Sequence, residues 1–422
     1  MPSFLPLAAA ARAAVVATRA SAARFGGASF KLAGTALTVI AGAYLFLFES
    51  EDAVIDSMCS VFELGGLPDW DAGFEDDTAQ GSVPRPALQG TLTALLSPQG
   101  PPASKLYGVV VGAPGTGKSV AVRTAVRAVG TSKTRGAVYF LAPSGITSFS
   151  TQLMRELNYH EPFSLLSPLR SLVSEGAWDP APGQLPQPVA SWRVLGPLLQ
   201  AAALRFRARH GRPAVLVLDE MDLVAEAAPP FFTELQSFAK ECADKGTLRV
   251  VFVLSDGRGL PLLLASSARS RASRPVEVED LSDLEAVGYL QLQGVEAGRA
   301  EALVALVAGG RLILLQQLAS SLEAVETIVR VLHNRTDTEF LLAQVLPTGA
   351  LFRALLERGR VRSSDALRLL EEGKIKLLLE RGILAAHPDG TYTLHSRHVQ
   401  TFVAAKVAEA AGSAAASVHP LR

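Results

Sequence analysis

Gly112-Ala113-Pro114-Gly115-Thr116-Gly117-Lys118-Ser119 is the stretch that decides how this chain reads. It fits G-x-x-x-x-G-K-[ST] completely, with an apolar, strand-like run at 106–111 before it and a helix-forming run from Val120 to residue 129 after it. Each part has a physical reason. The glycines let the backbone wrap so that successive N–H groups point inward at phosphate oxygens, and the start of the next helix adds its positive end. Lys118 reaches the terminal phosphates, and the Ser119 hydroxyl can ligate Mg²⁺.

Working outward, short apolar runs at 137–141, 214–218, 249–254 and 276–278 alternate with helical patterns, which argues for βα units around a parallel sheet. The run at 214–218 ends in Asp219-Glu220. Asp219 would hold Mg²⁺ through water, and Glu220, one residue on, would polarise a water attacking the γ-phosphate. Alone, two acids after a strand also read as a helix cap. Paired with the glycine loop they predict a nucleotide hydrolase. The stretch 161–188 is rich in Pro and Gly, has no period and reads as an inserted loop.

The two motifs, about a hundred residues apart, resemble the additional-strand P-loop ATPases, specifically AAA+ and STAND-like archaeal-type ATPases, over about residues 83–400. The resemblance implies an α/β core with strand order 5-1-4-3-2, ATP with Mg²⁺ at the carboxyl ends of the strands, a helical lid and a winged helix. It places Arg85, in Val83-Pro84-Arg85-Pro86, in a segment covering the adenine. It places Ser255, after the fourth strand, at the γ-phosphate. It makes Arg269, Arg271 and Arg274 candidates for a cation on the transferring phosphoryl group, acting in the same chain or across a subunit interface; a solvated basic turn is the other reading of that run. Gly309-Gly310-Arg311-Leu312 resembles a signature of these ATPases without its proline. Arg311 is either a nucleotide-sensing arginine or a plain helix start.

The domain boundaries follow: an ATPase domain at 86–280, a lid at 281–345, a winged-helix-like unit at 346–403 and an Ala-rich, fraying tail at 404–422. Within the third, helical patterns at 349–358, 364–372 and 374–381 precede strands at 383–386 and 391–394, joined by the turn His387-Pro388-Asp389-Gly390. Residues 346–422 hold eleven Lys/Arg against seven Asp/Glu, too mild an excess for a phosphate-gripping face. A protein-contact or lid-packing role, with a protein partner or client, is therefore favoured over DNA, and an oligomer is open. The alternative to a working hydrolase is a slow nucleotide-dependent switch or scaffold.

The amino end differs. Residues 1–31 carry Arg12, Arg19, Arg24 and Lys31 with no acid, the composition of an organelle transit segment. The run at 32–48 is uncharged and apolar; at 1.5 Å per residue it reaches about 25 Å and is expected to be a transmembrane helix, with a signal-type or buried helix as the alternative. Membrane localisation follows, mitochondrial or of another organelle. Residues 49–85 read as a linker with one short helix. Across the whole chain 40 basic residues balance 40 acidic ones, so net charge predicts no polyanion partner, and two cysteines exclude a disulfide scaffold.

Overall fold

The computed structural model describes residues 51–65, 83–97, 105–129, 135–143, 145–159, 187–255, 259–320 and 349–416. Five parallel strands form its centre: β1 (Gly108–Gly112), β2 (Ala137–Leu141), β3 (Ala214–Asp219), β4 (Leu248–Ser255) and β5 (Val276–Glu277). Their order is β2-β3-β4-β1-β5, the expected 5-1-4-3-2 read from the other edge. Each strand sits within two residues of its expected run, because a strand covered on both faces must be apolar throughout and stops where turn residues begin.

Side chains alternate across the sheet and feed two cores. On one face Val109, Val138, Leu216 and Phe252 meet helices α1 (Glu51–Leu64), α4 (Phe149–Glu156), α5 (Gln187–His210), α6 (Met221–Ala227), α7 (Pro229–Lys245) and α8 (Gly259–Ala265). On the other, Val110, Tyr139, Val217 and Val253 meet α2 (Pro86–Leu96) and α3 (Lys118–Ala128). All strands run the same way, so their carboxyl ends, with Gly112, Asp219 and Ser255, gather at one rim.

Helix α1 corrects the linker reading over residues 51–64, where one short helix was expected but not a part of the core. Val54, Ile55, Met58, Cys59 and Phe62 are all buried in the first core, and the carbonyls of Phe62 and Glu63 accept from the amides of Gly136 and Arg135, just ahead of β2. Burying a side chain such as Phe62 is worth about 1.5–3 kcal/mol. The outer side of α1 pairs with α5: Arg205 with Asp52 at 2.6 Å, and Arg209 with Asp56 at 2.5 Å and Glu63 at 3.2 Å.

Beyond β5 a small helical cluster holds α9 (Asp283–Leu292), α10 (Ala297–Leu303) with a π turn over Val304–Ala308, and α11 (Leu312–Ala319), around Tyr289, Leu303 and Leu315. A last unit has its own core around Phe352, Leu378 and Phe402. It comprises α12 (Ala350–Arg358), β6 (Val361–Arg362), α13 (Ser363–Leu369), α14 (Glu372–Glu380), β7 (Leu384–Ala386), β8 (Thr391–Leu394) and α15 (Arg397–Ala416), with sheet order β6-β8-β7. The expected helix at 364–372 ends at Leu369, because Leu370 is extended. The expected fraying tail is helical to Ala416, since α15 is anchored at its start by buried Val399, Phe402 and Val403 and alanine sustains helix. Among the described residues no helix is long and apolar enough to cross a membrane. The transit and membrane segments expected at 1–31 and 32–48, the loop at 161–186 and the lid beyond Ser320 lie outside the described residues.

Candidate functional site

The loop after β1 is built as its sequence requires. Gly115 and Gly117 take φ of +83° and +86°, a left-handed conformation that side chains resist. They are also crowded: a Cβ would meet Ile313 at 2.4 Å from Gly115 and Leu312 at 2.8 Å from Gly117. The buried Thr116 hydroxyl donates to the Ala113 carbonyl at 2.9 Å, closing the loop on itself. Lys118 opens α3, and its ammonium donates to the carbonyls of Gly112 and Ala113 at 2.7 and 3.0 Å, holding the charge over the loop. Ser119 and Val120 follow in the first turn of α3, behind an eleven-residue helix N-terminus.

Asp219 ends β3, buried, with one donor on each oxygen: the Tyr139 hydroxyl at 2.5 Å and the Glu220 amide at 2.7 Å. The Ser119 side chain lies near enough to the same Tyr139 hydroxyl to pull its pKa down, so Ser119 and Asp219 share one polar cluster. Glu220 sits at φ +56°, left-handed for a non-glycine residue, a conformation that costs about 1–3 kcal/mol and clusters at working sites. Burial first, then the charges of Asp219 and Asp222, push its carboxyl above the usual glutamate range, while Lys118 pulls it down. Among the described residues the Glu220 carboxylate has no hydrogen-bond donor.

Asp222 was not legible as a site residue. It lies buried in α6, and accepts from the amides of Ser255 at 2.6 Å and Gly259 at 2.9 Å, fixing the end of β4. Burial raises its pKa against the pull of those two amides. The only sequence signal was its spacing, two residues after Glu220. Ser255 lies level with Gly112 in the sheet register. Pro114, Glu220, Asp222 and Ser255 line one cleft of about 470 Å³, together with Arg381 and His395 of the last unit.

Two expectations change. Arg271 is on the sheet's other rim: its carbonyl accepts from the Tyr107 amide, ahead of β1, and its guanidinium pairs with Asp244 at 2.7 Å. Five residues of strand, about 17 Å, separate that level from the loop. Arg269, in the same 3₁₀ turn, and Arg274, beside the start of β5, share this rim, so action on the chain's own nucleotide is excluded by reach. Arg311 stands at a helix start, as the N-cap of α11, but with its side chain committed elsewhere. It is 3% exposed, and its N–H groups are directed at Asp280 (2.7 and 3.1 Å), the Pro114 carbonyl (2.7 Å) and the carbonyl and ring of His395 (2.5 and 3.4 Å). All five of its donors thereby face protein acceptors, and the arginine ties loop, helical cluster and last unit together. Arg85 donates to the Glu279 carbonyl at 2.8 Å, holding the segment before α2 against the chain that leaves β5.

The residues fit a magnesium–nucleoside triphosphate: a glycine cradle at a helix start, a lysine over it, and a hydroxyl and a buried carboxylate joined through one phenol. Residues 83–251 match the family model of the AAA ATPase domain. No curated protein matches the chain. Similar solved structures include a Walker-type ATPase of Pyrococcus abyssi (17% identity, 76% of this chain and 96% of that one, TM-score 0.47). Others are the Cdc6p protein of Pyrobaculum aerophilum (16%, 79% and 98%, 0.37) and the ORC2 protein of Aeropyrum pernix (13%, 76% and 94%, 0.38). On its loop, its strand-end carboxylates and that match over residues 83–251, the chain carries a segment similar to the AAA ATPase domain and is a P-loop ATPase.

Proposed function

We propose that the chain hydrolyses ATP with Glu220 as the base and Ser119 and Asp219 as the magnesium-binding pair, and couples the cycle to movement of a winged-helix unit formed by residues 346–403. The observation that carries the reading is the left-handed Glu220, held unpaired in a cleft beside Pro114 and Ser255. Bound Mg²⁺–ATP would supply the reactive phosphoryl group and neutralise its developing charge. The chain's own residues do the rest. The loop amides and Lys118 bind the phosphates, Glu220 takes a proton from the attacking water at a carboxylate oxygen, and Ser255, tethered by Asp222, faces the reacting end. Arg269, Arg271 and Arg274 would then act on a neighbouring subunit's nucleotide, in an oligomer.

A protein client fits the last unit better than DNA. Its cations are matched on their own surface, Lys374 with Glu371, Lys376 with Glu380 and Arg368 with Asp365, and the end of α14 lines the chain's own cleft. We further propose that the apolar run at 32–48 anchors the protein in a membrane; its retention in the pellet after alkaline extraction is the check. A switch with very slow turnover remains the second reading, favoured by the ion pairs that hold the last unit against the cleft.

Calorimetry and steady-state turnover separate these readings. Lys118→Ala should weaken ATP binding about 100-fold, the worth of one or two charge-assisted hydrogen bonds. Glu220→Gln should bind ATP as the native chain does and lose about 10²–10⁴ in turnover. Native binding without turnover would establish the switch; equal turnover in Glu220→Gln would remove Glu220 from its role.

A further inference from the structure

Strand β2 reads Ala-Val-Tyr-Phe-Leu, and packing alone would be served by phenylalanine at its centre. Tyr139 is 1% exposed, so its hydroxyl is out of water and costs free energy unless bonded. Strand parity directs it to the α3 face: Tyr139 pairs with Val217 in the register, and Asp219, two residues on in β3, shares that face. There the hydroxyl donates to Asp219 Oδ2 at 2.5 Å, with the Ser119 side chain beside it. The Arg123 guanidinium, whose Nε donates to the Ser119 carbonyl at 3.2 Å, lies 6.0 Å from the ring centre, so ring and helix start are fixed together.

We propose that Tyr139 is a positioning residue for magnesium, acting through Ser119 and Asp219. One phenol spans the two groups and fixes their spacing before any ion arrives. Asp219 Oδ1 is held in the same way by the Glu220 amide at 2.7 Å, and each oxygen keeps a lone pair for a further partner. Tyr107 shows the contrast. It is as buried as Tyr139, yet among the described residues its hydroxyl has no partner.

The inference rests on the proposed roles of Ser119 and Asp219, and one experiment tests both. The full chain is titrated with a fluorescent N-methylanthraniloyl ATP, first in EDTA and then across a Mg²⁺ series. In Tyr139→Phe the affinity in EDTA should stay within about twofold of native. The Mg²⁺ concentration that half-tightens binding should rise about 10-fold or more, the usual effect of removing a partner that orients a metal ligand. Tyr107→Phe, which deletes an unpartnered hydroxyl, should leave both values unchanged, and thermal melts of all three proteins check folding. A native Mg²⁺ midpoint in Tyr139→Phe overturns the role of Tyr139 alone. An equal shift in both variants overturns it as well, since the effect would then be one of packing. Nucleotide binding in the native chain that ignores Mg²⁺ removes the proposed Ser119–Asp219 site, and the role of Tyr139 with it.

Discussion

Two groups of carboxylates stand within one sheet of each other and are treated in opposite ways. Asp219, Glu220 and Asp222, at and after the end of β3, lie in partly or wholly buried surroundings; Asp219 and Asp222 take their hydrogen bonds from neutral donors, the Tyr139 hydroxyl and the amides of Glu220, Ser255 and Gly259, and the Glu220 carboxylate takes none among the described residues. Glu277, Glu279, Asp280 and Asp283, at and after β5, each meet a side chain that is or can become cationic: His387, Arg360, Arg311 and Arg397. Negative charge gathered without matched cations is costly and is kept where a bound ion can use it. Negative charge matched one to one is a docking seam. Here three of the four partners come from the last unit, so the strip fixes that unit over the cleft.

Arg311 belongs to both regions and is the place where the comparison breaks hardest. Its side chain is 4% exposed while that of Asp280 is 32% exposed. Arg311→Ala strands Asp280 and the carbonyls of Pro114 and His395, and should cost about 3 kcal/mol, the low end for breaking a buried pair because Asp280 keeps some water. Chemical denaturation followed by circular dichroism checks this. A loss below about 1 kcal/mol would make Arg311 a mere surface charge. Calorimetry on the same variant should show weaker ATP binding, since the Pro114 carbonyl is no longer held.

A middle-sized effect lies in the pH profile. Glu220 acts as a base only when ionised, and its carboxyl is held above the ordinary 4.5 by burial, then by Asp219 and Asp222. The acid limb of kcat/KM, which reports the free enzyme, should therefore rise with pH above that value and be missing in Glu220→Gln. Stability should move the other way. A carboxyl whose folded pKa is raised ionises more easily in the unfolded chain, so the contributions of Glu220 and Asp222 are complete below their ordinary 4.5 and 3.8 and are lost as pH rises through the raised values. A kcat/KM limb at or below 4.5 would place Glu220 in open water and erase the contrast with the paired strip.

Much of the first region was legible in the sequence, and the second was not, for one reason. The glycine loop, Lys118, Ser119 and Asp219-Glu220 act through neighbours a few residues away, and their spacing carries the chemistry. The five strands were legible because burial on both faces demands unbroken apolar runs. The seam depends on pairs such as Arg397 with Asp283 and His387 with Glu277, more than a hundred residues apart, which no local pattern encodes. The same limit hid Tyr139, an aromatic in a strand until Asp219 is set beside it, and left Arg311 between a nucleotide and a plain helix start rather than on Asp280. Helix α1 was read as one short helix of a linker and not as part of the core. Val54, Met58 and Phe62 recur every four residues, but the acids Asp52, Asp56 and Glu63 among and beside them read as a solvated linker until Arg205 and Arg209 of α5 are placed opposite.

The smallest effects sharpen the comparison at the seam itself. Arg360 is 45% exposed on its side chain and sits 3.3 Å from Glu279, and Arg397 donates to both Asp283 oxygens at 3.0 and 3.1 Å. Pairs so open to water are worth about 0.2–1 kcal/mol each and are screened by salt. Arg360→Ala and Arg397→Ala should each cost no more than that in 50 mM salt, and less in 500 mM. Their consequence should be positional. With the seam weakened, amide hydrogen exchange at Leu379–Gly382 and around His395, which line the cleft, should quicken, while exchange in β3 and β4 stays at the native rate. Quickened exchange in the strands as well would mean that the last unit and the sheet unfold together. The acidic strip would then be part of the core's own stability, and its resemblance to a separable latch would be lost.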